Sequence, residues 1–322
     1  MQTRSRVRVF APASASNLGP GFDILGLALS APGDFVEAEV ADRPGVELAG
    51  VTGDGGLLSR DPAVNVAGIA ASALLSRLRA EGLGAPGVRL WLEKRMPMAS
   101  GLGSSAASSV AGAMAVNELF GRPLPRRELL AAALEGERAA SGAGHADNAA
   151  PSLLGGIVLI RSYDPLDLVE LPVPPALWIT VVHPHAAVRT EEARALVMSR
   201  GFRLADCVAN LGNAAAMVAA LYRNDLELLG RSIEDRLVEP VRAALIPAHA
   251  EVKRAALGAG ALGCSISGSG PSIFAMTADE LTASGVAMAM TAAFREAAGL
   301  ASDAYVGLVN TSGATVREDA AG

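Results

Sequence analysis

The run Pro97-Met98-Ala99-Ser100-Gly101-Leu102-Gly103-Ser104-Ser105-Ala106-Ala107 concentrates residues suited to chemistry, and it stands directly before a segment of helical character. Glycine lets the backbone turn sharply and brings its N–H groups up to an anion with no Cβ in the way. A helix start adds unpaired N–H groups and the positive end of the macrodipole. Such a loop can cradle a triphosphate. Ser104 and Ser105 can cap the helix, and a Ser hydroxyl there can also reach a magnesium ion bridging the phosphates. Better-known phosphate motifs fit less well. Gly101-Leu-Gly103-Ser-Ser-Ala106 has the form G-x-G-x-x-A, but Pro97 precedes it, and an acidic residue about twenty positions on would fall inside or just past the helix. The chain also lacks the Gly-Lys-Ser/Thr of a P-loop and the H-R-D and D-F-G of protein kinases. A tight strand-to-helix turn alone would account for the glycines, but not for the paired serines and their small neighbours.

Other polar residues suited to chemistry are spread along the chain. Glu137 precedes His145 by eight residues, and His145 opens the group His145-Ala-Asp147-Asn148. Two ligands of mixed type make a poor transition-metal site, so His145 is expected at a substrate before a metal. Asn17 and Asp23 stand in a Ser-, Asn-, Gly- and Pro-rich loop, where such residues also serve the turn itself. Arg194 and Arg242 carry planar guanidinium forks suited to a carboxylate, although a lone surface Arg more often forms an ion pair. His183 and His185 flank Pro184 and read as solvent-facing.

Composition excludes several classes. A formal charge of −6 and the absence of a Lys/Arg run argue against nucleic acid. Cys207 and Cys264 lie far apart with no CxxC spacing, which indicates neither a zinc site nor a disulfide framework. The first ten residues do not read as a secretory signal, and no uninterrupted apolar run reaches spanning length, so a cytoplasmic enzyme with no membrane partner is the expectation. The chain leaves room for a homodimer.

The elements that must position these groups are mixed. Strands are read at Val7–Pro12, Ile24–Leu29 and Phe35–Val40, with a loop over Ser14–Gly21 between the first two. Helices follow over Asn65–Arg79, Ser104–Leu119 and about Arg127–Ala140, with a strand at Val88–Glu93. Asp147 and Asn148 fall in a loop before a helical turn at Ala149–Leu154 and a strand at Gly156–Ile160. The acidic, proline-rich stretch Tyr163–Pro175 is the best domain boundary. Beyond it come a strand at Leu177–Val182, helices at Glu191–Met198, Cys207–Tyr222, Asp225–Arg231 and Ala248–Leu257, strands at Gly263–Ser267 and Ser272–Thr277, a helix near Leu281–Ala298 and a strand at Ala304–Val309. A length of 322 residues suits two α+β domains, set at 1–165 and 166–322.

Pro97 to Ala107 resembles the nucleotide loop P-x-x-x-G-L-G-S-S-A-A of the GHMP kinases. Ala13-Ser-Ala-Ser-Asn17-Leu-Gly-Pro-Gly-Phe-Asp23 and Cys264-Ser-Ile-Ser-Gly268-Ser-Gly270-Pro-Ser-Ile-Phe-Ala275 agree in order and position. The first of these, with Gly144-His145-Ala-Asp147-Asn148, is similar to the homoserine kinase branch. The resemblance implies a two-domain GHMP kinase fold: an N-terminal domain like domain 2 of ribosomal protein S5, a ferredoxin-like C-terminal domain, and the site between them. It implies ATP and Mg2+, with phosphorylation of the L-homoserine side-chain hydroxyl in threonine biosynthesis. Residues 97–107, with Asn65 and Lys94, would hold the nucleotide; Ser105 and Glu137 would hold the metal. Asn17, Asp23, His145, Arg194 and Arg242 would meet the amino acid, Asp23 its ammonium. Mevalonate kinase relatives carry an aspartate where this chain has Asn148. The expectation is therefore transfer without a carboxylate base, with Asn148, Thr190 and Arg194 orienting the reactants. Other readings are a GHMP kinase for a sugar or isoprenoid alcohol, a silent nucleotide- and metabolite-binding relative, and, more distantly, a dinucleotide-binding oxidoreductase.

Overall fold

The computed structural model describes residues 4–83 and 85–317. The first layer is a sheet of β1 (Arg6–Ser16), β2 (Leu25–Ala41), β3 (Val46–Thr52), β4 (Gly87–Glu93), β5 (Ile157–Tyr163) and β6 (Leu166–Leu171). Its main path runs β3-β4-β2-β1 and ends on β11 (Thr315–Val316); β5 attaches to the first residues of β2, and β6 to β5. All pairs are antiparallel except β3 with β4, which are joined through α1 (Val66–Ala80). Parallel neighbours need such a crossover.

Helix α2 (Ser104–Leu119) runs through this domain, buried at every position from Ala106 to Leu119. It contacts α1, α3 (Leu129–Ser141), α4 (Ala146–Leu154), β1 and β2. Its Ala, Ser and Gly side chains permit that approach: a Cβ on Gly112 would lie 2.5 Å from the Ala67 carbonyl oxygen of α1. A helix enclosed on all sides carries no polar face, so its sequence lacks amphipathic periodicity.

The second sheet has the order β10 (Ser302–Leu308), β7 (Trp178–Pro184), β9 (Ile273–Thr277), β8 (Gly263–Ile266) and is antiparallel throughout. Helices fill the β7–β8 connection: α5 (Thr190–Met198), α6 (Leu204–Arg223), α7 (Leu226–Ser232), the one-turn α8 (Glu239–Arg242) and α9 (His249–Gly258). Helix α10 (Glu280–Ala298) joins β9 to β10. Chain order against sheet order gives the ferredoxin-like βαββαβ arrangement, so the α+β class and the ferredoxin-like second domain expected from the sequence hold.

Several local expectations change. Strand β1 continues to Ser16: a register shift between Pro12 and Ser14 absorbs a residue that lacks an N–H, and pairing resumes at Ser14 with Ala28. The strands read at Ile24–Leu29 and Phe35–Val40 are one strand, β2, whose early residues pair with β5 and whose later ones pair with β4. Asp147 and Asn148 lie in the first turn of α4, not in a loop. Position 165 falls inside the β5–β6 hairpin, and β11 returns to the first sheet. By sheet membership, the chain therefore leaves the first layer after Leu171 and rejoins it at Thr315.

Candidate active site

Every carbonyl from Ala99 to Leu102 is taken up by the protein. Val188 N–H donates to Ala99 (3.2 Å), Ser272 N–H to Ser100 (3.2 Å) and Ser14 N–H to Leu102 (3.0 Å), while the Ser267 hydroxyl donates to Gly101 (2.7 Å). Donors from both domains thus hold the loop by its carbonyl edge. Helix α2 then begins at an N-cap Gly103 in the left-handed region, with no side-chain cap. Its first-turn amides are left for a ligand, and the dipole favours an anion there. Side chains are excluded at both glycines. A Cβ on Gly101 would sit 2.4 Å from the Ser267 carbonyl oxygen; one on Gly103 would sit 2.2 Å from Ser14 Oγ and 2.8 Å from Asn148 Oδ1.

Behind the loop lies a buried ion pair. Lys94 Nζ donates to the Asp34 carboxylate, to Ser104 Oγ (2.6 Å) and to Ser108 Oγ (3.0 Å). Asp34 also accepts the Arg95 N–H (3.0 Å) and the Ser108 hydroxyl (2.8 Å). With its three protons committed to this network, the ammonium stiffens the start of α2.

A cleft of about 270 Å³ opens in front of the loop, lined from both domains. Beside the loop are Ser105 and the buried Glu137, whose carboxylate lies 3.7 Å from His145 Nδ1. A hydroxyl and a carboxylate are hard oxygen donors that suit Mg2+ completed by phosphates and waters. Among the described residues no cluster of three or more His, Cys, Asp or Glu could hold a metal alone. Farther along, Arg194 Nη2 contacts both Asp23 oxygens at 2.9 and 2.7 Å across the domain boundary. Arg194 and Arg242 stand over the Phe22 ring at 5.5 and 5.0 Å. Their buried Nε atoms have no hydrogen-bond partner among the described residues. Burial pushes the Arg242 pKa down, against the pull of Asp23. His145 is also buried, which opposes its charge, but Glu137, Asp147 and Asp23 outweigh that and raise its pKa. Asp147 is raised to about 6 by burial and by the nearby charge of Asp23.

The GHMP kinases N terminal domain model matches residues 65–156, and the GHMP kinases C terminal model matches residues 217–296. Homoserine kinase of Chlorobium phaeobacteroides (strain BS1) is 46% identical over 315 residues, covering 95% of this chain and 98% of that one. Homoserine kinase of Chloroherpeton thalassium is 45% identical over 317 residues, with 97% and 99% covered. The chain belongs to the homoserine kinases of the GHMP family. The crystal structure of homoserine kinase from Cytophaga hutchinsonii matches with a TM-score of 0.93 at 47% identity, covering 98% of this chain and 99% of that one.

Against the residues expected from the homoserine kinase resemblance, the structure brings most to the cleft. Met98, Ala99, Ser100, Gly101, Gly103, Ser104, Ser105 and Glu137 line it with Asn17, Asp23, His145, Asn148, Thr190, Arg194 and Arg242. Five others stand behind it. The Pro97 carbonyl accepts the Ser100 hydroxyl (2.8 Å), while Leu102, Ala106 and Ala107 are core residues that anchor the loop. Asn65 caps α1 through Oδ1 and donates from Nδ2 to the Ser59 carbonyl (3.0 Å), so both ends of its amide serve the backbone. Lys94 reaches the cleft wall but is spent on Asp34 and the serines. The expected serine cap is absent because Gly103 takes the N-cap position and Ser104 Oγ turns to Lys94. Asn17 ties the two domains, donating to the Gly268 carbonyl (2.9 Å) and accepting the Asp23 N–H (3.1 Å). Thr190 Oγ1 lies 3.3 Å from Ser269 Oγ. His183 is buried against Ser272 Oγ (3.1 Å), not solvent-facing. The sequence reading weighs Asp147 only as a poor metal partner for His145, yet it lines the cleft as a buried carboxylate. Its place one residue before Asn148 was the available signal.

Proposed function

We propose that this chain transfers the γ-phosphoryl group of ATP to the side-chain hydroxyl of L-homoserine, giving O-phospho-L-homoserine and ADP in threonine biosynthesis, and that it works in the cytoplasm, where ATP is supplied. The observation that carries the choice of acceptor is the pairing of opposite charges beside the phosphate loop. Asp23 and Asp147 offer a negative side; Arg194 and Arg242 offer a positive one. A zwitterion can exchange with the Asp23–Arg194 pair at little net electrostatic cost, its ammonium meeting Asp23 and its carboxylate taking the guanidinium forks. A neutral sugar has neither group, and mevalonate has no ammonium.

ATP phosphates are held by the α2 amides, with Ser105 and Glu137 holding Mg2+. The ion supplies charge neutralisation to the transferring phosphoryl group. The side chain packed against Gly103 is Asn148, its Oδ1 accepting from the Ser14 hydroxyl (3.0 Å) and its Nδ2 donating to Ser16 Oγ (3.0 Å). An amide so held orients the acceptor hydroxyl but cannot take its proton. Thr190 adds a second orienting hydroxyl, and the proton leaves to a phosphoryl oxygen or to water.

A coupled assay of ADP release with L-homoserine, mevalonate, galactose and L-serine tests this reading. The expected result is turnover with L-homoserine and a lower kcat/KM for the others: galactose and mevalonate leave charges of the cleft unpaired, and L-serine, with the same ammonium and carboxylate, is one methylene too short to bring its hydroxyl to the phosphoryl group. Preference for another acceptor, or nucleotide binding without turnover, would count against it.

A further inference from the structure

Glu239 is a buried carboxylate for which the reaction proposed above has no use. It opens the one-turn helix α8, is 5% exposed, and is not among the residues that line the cleft. Its oxygens accept from Lys253 Nζ of α9 and from Ser265 Oγ of β8 (2.5 Å), and His249 Nε2 of α9 lies 3.3 Å away. Burial pushes its pKa up, but His249, Lys253 and Ser265 outweigh that and bring it below its ordinary value. A charge is costly to bury, yet partners from two other elements are assembled around this one. The arginine that ends the same turn explains the arrangement. Arg242 lines the cleft and donates from Nη1 to the Gly268 carbonyl (2.8 Å). A single helical turn has too few backbone bonds to hold its own place. The Val238 carbonyl accepts the N–H groups of Val241 and Arg242 (3.0 and 2.9 Å), and Asp235 accepts those of Leu237, Val238 and Glu239 (2.7, 3.0 and 2.8 Å). Those bonds shape the turn but stay within it. The Glu239 carboxylate ties it to the second sheet and to α9.

We propose that Glu239 is a positioning residue for the acceptor's carboxylate: by fastening α8 to β8 and α9, it fixes the Arg242 guanidinium where that carboxylate binds. It touches neither reactant. The inference deepens the reading of L-homoserine as the acceptor and rests on it. Glu239 and Arg242 share the wall of a void of about 10 Å³, room for one water at most, so the turn has little slack. Helix α8 also packs against α5, which carries Arg194, so the same tie steadies both guanidinium groups. A shift of about 1 Å is enough to spoil a bidentate contact. Loss of the tie is therefore felt by acceptors that carry a carboxylate and not by those that lack one.

Steady-state ADP release with L-homoserine and with 3-aminopropan-1-ol, the same alcohol and amine without the carboxylate, separates these roles. The parent should prefer L-homoserine, and Arg242→Ala should abolish most of that preference. Glu239→Gln should raise the L-homoserine KM by about tenfold while kcat and the ATP KM stay within about twofold and 3-aminopropan-1-ol is turned over as before. In the Glu239→Gln/Arg242→Ala double variant the glutamate change should add nothing, because it acts through the arginine. Lys253 is half-buried at the rim of the network, so its variants probe the same tie with less risk to folding. Lys253→Met should shift the preference in the same direction, and Lys253→Arg, which keeps the ion pair, should hold the parent KM. An equal loss with both acceptors, an unchanged L-homoserine KM, or losses that add in the double variant would overturn the proposal. A parent with no preference for L-homoserine, or a preference that survives Arg242→Ala, would instead defeat the acceptor reading, and the inference would fall with it.

Discussion

Lys94 and Asp34 show how far a residue's role can depart from its charge. The pair is buried, and removing one member leaves the other charge without compensation. Lys94→Met should therefore cost about 3–5 kcal/mol of stability, measured by urea unfolding, whereas a surface pair such as Arg77–Glu81 should cost under about 1 kcal/mol. Asp147 is the second telling residue. Its folded pKa, raised to about 6 from 3.8, means that the protonated form is favoured by folding. That stabilisation is fully present below the unfolded value and is lost as pH rises through about 6, so the ionised side chain is a net liability at neutral pH. Asp147→Asn should raise the melting temperature at pH 7.5 relative to the parent and flatten its decline between pH 4 and 6. If proton removal needs no carboxylate, the same variant should raise the homoserine KM while keeping kcat within about tenfold. A kcat loss with disappearance of an acid limb near pH 6 would instead make Asp147 the base.

At the scale of elements, α2 and the loop before it decide the chemistry. The helix is enclosed along its length, opens at Gly103 without a cap, and is approached there by Ser14 and Asn148. Gly103→Ala combines a left-handed backbone with a Cβ 2.2 Å from Ser14 Oγ, so it should lower kcat/KM for ATP by about 10²-fold or more in steady-state kinetics. This element was legible from sequence because its signal is local: the glycines and the run of small residues stand together. Helix α1, β4 and the second-domain strands were legible from their apolar spacing in the same way. What escaped had no local signature. Strand β3 is a parallel edge partner reached through α1, and β6 and β11 are short strands defined by their neighbours. Asn65 could not be told from a ligand residue, because capping and ligand binding ask for the same amide. Asp147 carried no visible role because its burial arises only when α4 packs against the first sheet.

Taken whole, the molecule docks its two sheets through one shared apolar cluster, which runs from Leu25 and Ile157 of the first layer to Ile179 and Phe274 of the second, and frames its site with polar contacts at a few points. Asn17 and Arg242 both donate to the Gly268 carbonyl, the Ser267 hydroxyl holds Gly101, and Arg194 meets Asp23. The contacts of Asn17, Ser267 and Arg194 cross between the layers, and Arg242 braces Gly268 from within the second, so phosphate loop and amino-acid pocket share one frame. The central claim is that α2 holds the triphosphate while the pocket between Asp23 and the two arginines holds the amino acid. A crystal structure with a non-hydrolysable ATP analogue, Mg2+ and L-homoserine addresses it most directly. The expected result is phosphate oxygens on the amides between Gly101 and Ala106, with the homoserine carboxylate at Arg194 and Arg242 and its ammonium at Asp23. A nucleotide bound elsewhere, with no phosphate at the start of α2, would contradict it.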